Sequence, residues 1–137
     1  MRYLGIDIGT KRIGIALSDE MGWTAQPHSV LKHTKIENDL DEIGKIIEEN
    51  EVEHIVLGLP MNMSGTESEM STLARKYADE LKKRFDFPVE LWDERLSSAA
   101  AERVLLEGNM RRNKRKQVID KVAAAYILQG FLDSKAK

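Results

Sequence analysis

The chain has 137 residues, 42% of them hydrophobic, and a formal net charge of −2, which predicts a single domain over residues 1–137, too short for two lobes closing on a ligand. It has no cysteine, so disulfides, thiol catalysis and thiolate metal sites are excluded, and a metal ion would be bound by carboxylates or by the three histidines. Because no apolar run reaches about 18 residues and the first residues lack the pattern of a secretion signal, we expect a cytoplasmic protein that stays out of the membrane.

Two short apolar runs open the chain, residues 3–10 and 13–18, and the turn between them predicts a β-hairpin. Asp7 lies in the middle of the first run. A buried carboxylate is costly there unless it meets a cation, a metal ion or a strong hydrogen-bond donor, so Asp7 is a candidate for chemistry. The alternative is that Asp7 caps the turn that follows it, a common role for aspartate close to glycine.

The remaining residues predict a third strand and then helices that alternate with strands. Apolar residues at helical spacing predict a helix that begins near Ile36, and the capping-box pair Thr66 and Glu69 predicts the start of a second helix. Pro27 makes the third strand an edge strand or an irregular one. The predicted strands after the hairpin are residues 23–31, 52–59 and 89–92, and two further helices are predicted from Ser97 or Ser98 to about residue 106 and over residues 117–132.

This order of elements predicts an α/β fold with a mixed five-stranded sheet. The N-terminal strands form an antiparallel meander, and helical crossovers add the later strands in parallel, with helices on both faces. Residues 61–65 and 111–116 are expected to be loops and candidate binding elements.

Three more carboxylates are candidates for a site shared with Asp7. Asp93 and Glu94 follow a predicted parallel strand directly, at the end where ligands of open α/β sheets bind. Asp120 is expected in the first turn of the last helix, on its inward face. The alternatives are capping or a local pair with Arg95 for the first two, and stabilisation of the helix dipole for Asp120. Inward and strand-end acids together fit a metal site better.

Four motifs occur in a fixed order over the whole chain. They are Asp7-Ile8-Gly9-Thr10-Lys11 with Gly14, Gly58-Leu59-Pro60 with Asn62 and Gly65, Asp93-Glu94-Arg95-Leu96-Ser97, and Asp120-Lys121 with Ala123-Ala124. In these motifs the chain resembles the YqgF/RuvX family, described as Holliday-junction resolvases and as nucleases that mature the 5′ end of pre-16S ribosomal RNA. The resemblance implies an RNase H-like fold. It also implies that Asp7, Glu94 and Asp120 are the catalytic, metal-binding acids, with Asp93 as the alternative to Glu94.

Carboxylates from separate elements suit the hydrolysis of a phosphodiester. They can hold one or two Mg²⁺ or Mn²⁺ ions, which activate water and stabilise the departing oxygen. As the resemblance implies, cleavage leaves a 5′ phosphate and a 3′ hydroxyl. In this chain Gln117 and Ala123 stand where the fullest RNase H-like pattern has an acid one turn from Asp120, which predicts that a second metal is held weakly.

Basic residues close to the acids are the expected contacts with a nucleic-acid substrate. Five basic residues in the run 111–116 precede the helix that carries Asp120, and Lys11 and Arg12 add to them. The basic residues of the run are Arg111, Arg112, Lys114, Arg115 and Lys116. The alternative is a solvated basic loop. Trp23 and Trp92 are expected in the core rather than as platforms for stacked bases.

The predicted function is therefore a metal-dependent nuclease that matures the 5′ end of pre-16S rRNA, with ribosomal particles as further partners. Resolution of Holliday junctions in DNA is the alternative substrate class. Two rival classes remain: an ATP-binding domain of the actin and sugar-kinase type, for which a second lobe is missing, and a nucleic-acid or ribosome-binding module that does not cleave. A monomer and a dimer are both compatible with the sequence.

Overall fold

The computed structural model describes residues 1–96 and 112–135, and the side chains of residues 1–96 and 120–135. The strands β1 to β5 are Arg2–Ile8, Arg12–Ser18, Ala25–Lys32, Val52–Leu59 and Val89–Asp93. The helices α1 to α3 are Ile36–Glu49, Glu69–Arg84 and Arg112–Lys135, and a 3₁₀ turn, Glu94–Leu96, follows β5. No helix in these described segments is long and apolar enough to cross a membrane.

The strands form one sheet in the order β3-β2-β1-β4-β5. The first three strands pair antiparallel, and β4 and β5 are added in parallel. The crossovers through α1 and α2 return the chain to the same end of the sheet, as parallel pairing requires. The mixed five-stranded sheet is therefore confirmed. β3 is an edge strand with Pro27 inside it, and its pairing with β2 shifts register between Ile15 and Ala16, which confirms the expected irregular edge.

The two faces of the sheet are covered by different helices. On the face covered by α1 and α2, alternate strand residues such as Leu4, Ile6 and Leu57 form a large aliphatic core. On the other face, apolar residues of α3 between 123 and 132 pack against Tyr3, Ala16 and Val56 of the strands. Because side chains alternate along a strand, Asp7 lies between Ile6 and Ile8 of the large core and belongs to the α3 face. Helices on both faces are thus confirmed.

Glycines on the α3 face allow α3 to approach the sheet closely. A Cβ atom on Gly14 would lie 2.0 Å from the backbone oxygen of Asp120, and one on Gly5 would lie 2.8 Å from the Cβ of Leu128. Larger residues at these positions would push the helix away. The glycines of β1 and β2 therefore determine how deep Asp120 sits over the sheet.

Helix α2 begins differently from the prediction. Ser68 is its N-cap, and its side-chain oxygen accepts a hydrogen bond from the Ser71 backbone N–H at 3.0 Å. In return, the Ser71 hydroxyl accepts a hydrogen bond from the Ser68 backbone N–H at 2.7 Å, which completes a capping box. The predicted pair of Thr66 and Glu69 is wrong, because Glu69 is already helical and the Thr66 hydroxyl accepts a hydrogen bond from Asn62.

Helix α3 begins at Arg112, earlier than the predicted residue 117. The basic run is therefore helical from Arg112 to Lys116 and is not a loop, which agrees with the good helix propensity of arginine and lysine. Asp120 lies about two turns inside α3 rather than in its first turn, so the dipole at the helix N-terminus does not account for it. The predicted helix that starts at Ser97 or Ser98, and Arg111, lie outside the described residues.

The two tryptophans have different environments. Trp92 packs against the cluster beneath α3, with its ring edge-on to Phe131 at a centroid distance of 5.8 Å, as expected for a core residue. Trp23 is 67% exposed, so its expected place in the core is wrong. It lies in the turn between β2 and β3, where the backbone is held by Asp19 and leaves the ring outside the sheet.

Candidate active site

Asp7 is a buried carboxylate on β1 with a glycine on each side of it. The residue is only 4% exposed to solvent. Gly14 of β2 lies directly opposite Asp7, and the register that pairs Ile6 with Leu57 places Gly58 of β4 next to it on the other side. The two glycines lack side chains, so other elements can approach the sheet closely on both sides of the carboxylate.

Asp120 lies over the first of these glycines. The close contact between Gly14 and the Asp120 backbone oxygen sets its position, and the burial of Ala124 and Ile127 confirms that this face of the helix points inward. The Asp120 carboxylate accepts a hydrogen bond from Nε of Arg12 at 3.0 Å. Both side chains are partly exposed, so this ion pair contributes little to stability, but it fixes the direction of the carboxylate.

Glu94 lies over the second glycine. A Cβ atom on Gly58 would lie 3.2 and 3.3 Å from Cγ and Cδ of Glu94, and 2.7 Å from Cδ1 of Ile127. The carboxyl group of Glu94 is thus held next to the β4 position that neighbours Asp7. Both Glu94 and Asp7 have further polar contacts of their own.

Asp93, the residue before Glu94, is engaged elsewhere. It accepts hydrogen bonds from the Arg95 guanidinium at 2.7 to 3.1 Å and from the Arg95 backbone N–H at 2.9 Å. The side-chain hydrogen bonds from Arg95 lower the pKa of Asp93, and burial opposes this effect. The predicted local pair with Arg95 therefore forms with Asp93, whereas Glu94 lies next to Gly58.

Residues 61–65 support the turn that carries Glu94. The Asn62 side-chain amide donates to the Thr66 hydroxyl at 3.0 Å and to the Glu67 backbone oxygen at 3.1 Å, which closes the loop on itself. Gly65 has φ of +86°, and a Cβ atom there would lie 3.5 Å from the Arg95 guanidinium. The loop is thus packed against the Arg95 side chain that holds Asp93.

The acids supply only hard oxygen donors, the ligands that Mg²⁺ and Mn²⁺ prefer. In this respect the residues fit a divalent ion. Over the described ranges 1–96 and 112–135, however, no three Asp, Glu or His side chains already form a group that could hold a metal ion. One reason is visible in the structure, since the Asp120 carboxylate is turned to Arg12.

The predicted basic contacts are placed to different extents. Lys11 lies at the tip of the hairpin and lines a cleft of about 640 Å³ beside Asp120. Arg12 lines the same cleft while it binds Asp120. Two further lysines of this cleft, Lys32 and Lys121, were missed from the sequence, although β2–β3 register pairs Lys32 with Arg12. In the basic run, the structure describes the backbone of residues 112–116, which is helical, but not their side chains. Their contact with a substrate therefore stays a prediction.

The arrangement of the sheet and helices is also found in RuvC-like resolvases. The structure of Thermus thermophilus RuvC with a Holliday junction substrate has a TM-score of 0.61 over 99% of this chain and 96% of that chain, with 13% sequence identity. The fowlpox virus resolvase bound to Holliday junction DNA has a TM-score of 0.59 over the full length of both chains, with 13% identity. At these identities the likeness establishes the fold, which is that of RNase H-like resolvases.

Sequence comparison gives the family. The family model RuvX, described as Holliday junction resolvase, matches residues 1–134, and the chain belongs to this family. A relative from Desulforamulus reducens is 48% identical over 137 residues, all of both chains. One from Syntrophomonas wolfei is 51% identical over 133 residues, 97% of this chain and 94% of the relative. Both are named "putative pre-16S rRNA nuclease". The family and the fold together support a hydrolase that acts on ester bonds of nucleic acid.

Proposed function

We propose that this protein is a metal-dependent endonuclease that cleaves pre-16S rRNA during maturation of its 5′ end. The observation that carries the proposal is the position of Glu94 and Asp120 over the two glycines that flank buried Asp7. The names of relatives that are 48% and 51% identical favour pre-rRNA as the substrate.

Each acid has a distinct part in the proposed site. Asp7 is buried on the central strand of the sheet, so its carboxylate has a fixed position in the site. Glu94 comes from the turn after β5, and Asp120 comes from α3. Asp7, Glu94 and Asp120 would hold a divalent ion, which would supply the positive charge that lets water attack a phosphodiester at neutral pH. Gly14 and Gly58 let Asp120 and Glu94 approach the sheet on either side of Asp7.

Two arginines position the acids. Arg95 holds Asp93 away from the site, so that the next residue along the turn can direct its carboxylate toward Gly58. Arg12 neutralises Asp120 in the structure and lies where the negative charge of a bound phosphate would be stabilised. Arg12 is thereby a shared contact of the acid site and of the substrate.

The test is a cleavage assay with purified protein and two substrates side by side. One is a precursor fragment that spans the 5′ end of 16S rRNA, and the other is a four-way DNA junction, each with Mg²⁺, with Mn²⁺ and with chelator. We expect cleavage of the RNA that requires the metal and leaves a 5′ phosphate. Cleavage in chelator, or no cleavage of either substrate by folded protein, would contradict the proposal.

Resolution of Holliday junctions is the second candidate. It is favoured by the family description and by the likeness of the fold to two resolvases solved with junction DNA. The same acids would serve on DNA, so the two candidates differ only in the substrate. Cleavage of the junction without cleavage of the RNA would select this second candidate.

A further inference from the structure

A basic cleft lies next to the acids, between the tip of the β1–β2 hairpin, the end of β3 and α3. Its volume is about 640 Å³, and its lining contains Lys11, Arg12, Lys32, His33 and Lys121. None of the described residues that line it carries a carboxylate. Four cationic side chains therefore line one solvent-filled space, and one of them, Arg12, is paired with Asp120.

The lysines of this cleft have no anionic partners among the side chains that the structure describes. The ammonium groups of Lys11, Lys32 and Lys121 make no ion pair with any other residue whose side chain the structure describes. Lys45 and Lys83 on the surface pair with glutamates of their own helices. Lys76 and Lys82 of α2 make no ion pair with a described side chain either, so the cleft lysines are distinguished by their grouping around one space. Like charges gathered around one cleft raise its positive potential and attract an anion.

Asp39, a buried acid behind the wall of the cleft, is already engaged by other residues. Asp39 is 2% exposed, and its two oxygens bind the Thr34 backbone and hydroxyl, the His33 ring at 2.7 Å and the Tyr77 hydroxyl at 2.7 Å. Its contacts hold His33 at the wall of the cleft. The His33 backbone N–H also donates to the Lys11 oxygen at 3.0 Å, which ties the hairpin to the end of β3. The walls of the cleft are thus held in place from both sides.

The cleft continues directly from the acids. Arg12 lines it and binds Asp120, Lys121 is the next residue of the same helix, and Lys32 is the register partner of Arg12. If one phosphate of a polyanion is bound near Asp7 and Asp120, the neighbouring phosphate would lie close to these lysines. A nucleic-acid strand is such a polyanion.

We propose that this cleft binds the backbone phosphates of a single-stranded RNA substrate beside the bond that is cut, through Lys11, Lys32 and Lys121. The inference rests on the proposed function for the position of the strand, but it is a statement about binding and does not require cleavage. It adds Lys32 and Lys121 to the substrate contacts and names phosphate as their ligand.

The test compares two pairs of substitutions in an Asp7→Asn background, which keeps the probe intact. Lys32→Gln with Lys121→Gln removes two charges from the cleft. Lys76→Gln with Lys82→Gln is the matched control, because these exposed lysines lie on α2, on the opposite face of the sheet, and the change in net charge is the same. Binding of a labelled single-stranded RNA and of a labelled four-way DNA junction is measured at several salt concentrations, after melting curves have confirmed that each variant is folded.

We expect the cleft pair to weaken RNA binding by roughly tenfold and to lower the slope of log affinity against log salt by about 1.4, at about 0.7 for each lost contact with a single strand. The control pair should change neither. Equal affinity and slope for the two pairs would overturn the inference, as would the absence of RNA binding, and an effect confined to the junction would show that the occupant is DNA. If the wild-type protein does not cleave but the cleft pair still loses RNA affinity, the nuclease proposal fails and the cleft stands.

Discussion

The two faces of the sheet are built from different residues for different tasks. The face under α1 and α2 carries large aliphatic side chains, such as Ile6, Ile15 and Leu57, all fully buried. The face under α3 carries Gly5, Gly14 and Gly58 together with Asp7, and α3 places the backbone of Asp120 directly over Gly14. Large side chains supply most of the stabilisation on the first face. On the second face their absence makes space, and the candidate active site occupies that space.

Substitutions at two neighbouring residues of β1, Asp7 and Ile6, should show the largest difference between the two faces. We expect Asp7→Asn to lower cleavage by more than about 100-fold, because even the outer partners of metal ligands are worth about 10- to 100-fold. The fold should remain as stable as before or become more stable, since one of several nearby anions is removed. Ile6→Ala on the opposite face should instead cost about 2–5 kcal/mol of unfolding free energy. Turnover and urea unfolding of both variants provide the measurement, and an Asp7→Asn protein that is inactive only because it has melted would refute the assignment.

The adjacent acids after β5 give the next largest effect. Glu94→Gln should silence cleavage, because its carboxyl group lies over Gly58, whereas Asp93→Asn should retain most of the activity and lose part of the contact with Arg95. Rates for the two variants are measured at the same Mg²⁺ concentrations. Wild-type rates for Glu94→Gln would transfer the role to Asp93 or remove it from this turn.

Glycine substitutions sharpen the comparison through packing alone. Gly14→Ala should destabilise the protein by about 1–3 kcal/mol and reduce activity, since its Cβ would meet the Asp120 backbone at 2.0 Å. Gly44→Ala is the control within α1, where the nearest atom to a new Cβ is 3.6 Å away. That change should stabilise the helix by about 0.5–1 kcal/mol. Opposite signs in thermal unfolding are expected, and equal small effects would mean that α3 does not depend on the glycine.

The smallest effect concerns Asp39, which lies on the aliphatic side and outside the acid site. Burial opposes its ionisation, but hydrogen bonds from Tyr77, Thr34 and His33 outweigh burial and lower the pKa of Asp39. A depressed pKa means that this stabilisation is present above the unfolded pKa near 3.8 and is lost as the pH falls through the folded value. Tyr77→Phe should therefore cost about 1 kcal/mol at neutral pH and less in strong acid. Urea unfolding at several pH values measures this, and a cost that does not change with pH would contradict it.

Much of the fold could be predicted because local patterns encode it. Two apolar runs separated by a short turn predicted the hairpin, and the charged Asp7 inside the first run predicted the candidate site. The start of α2 was missed because Thr66 with Glu69 has the same spacing as a capping box, while the cap that forms is Ser68 with Ser71. In the structure the Thr66 hydroxyl is held by Asn62 within the loop, and Ser68 caps the helix instead.

Contacts between distant residues could not be predicted from spacing. Arg12 was expected to bind substrate, yet it pairs with Asp120, 108 residues away. Lys32 reaches the cleft through strand pairing with Arg12, which the alternation pattern alone does not reveal. Asp93 and Glu94 were inseparable in the sequence, and the guanidinium of Arg95 distinguishes them in the structure.

The same long separation has a consequence for the order in which the protein is made. Asp7 and Gly14 belong to the first hairpin that leaves the ribosome, and the helix that completes their site follows more than a hundred residues later. Until then the glycines of β1 and β2 have no helix above them, and the acids have no common neighbour. A chain that is still being synthesised can therefore close its aliphatic core before the proposed site is complete, because that site also needs Asp120.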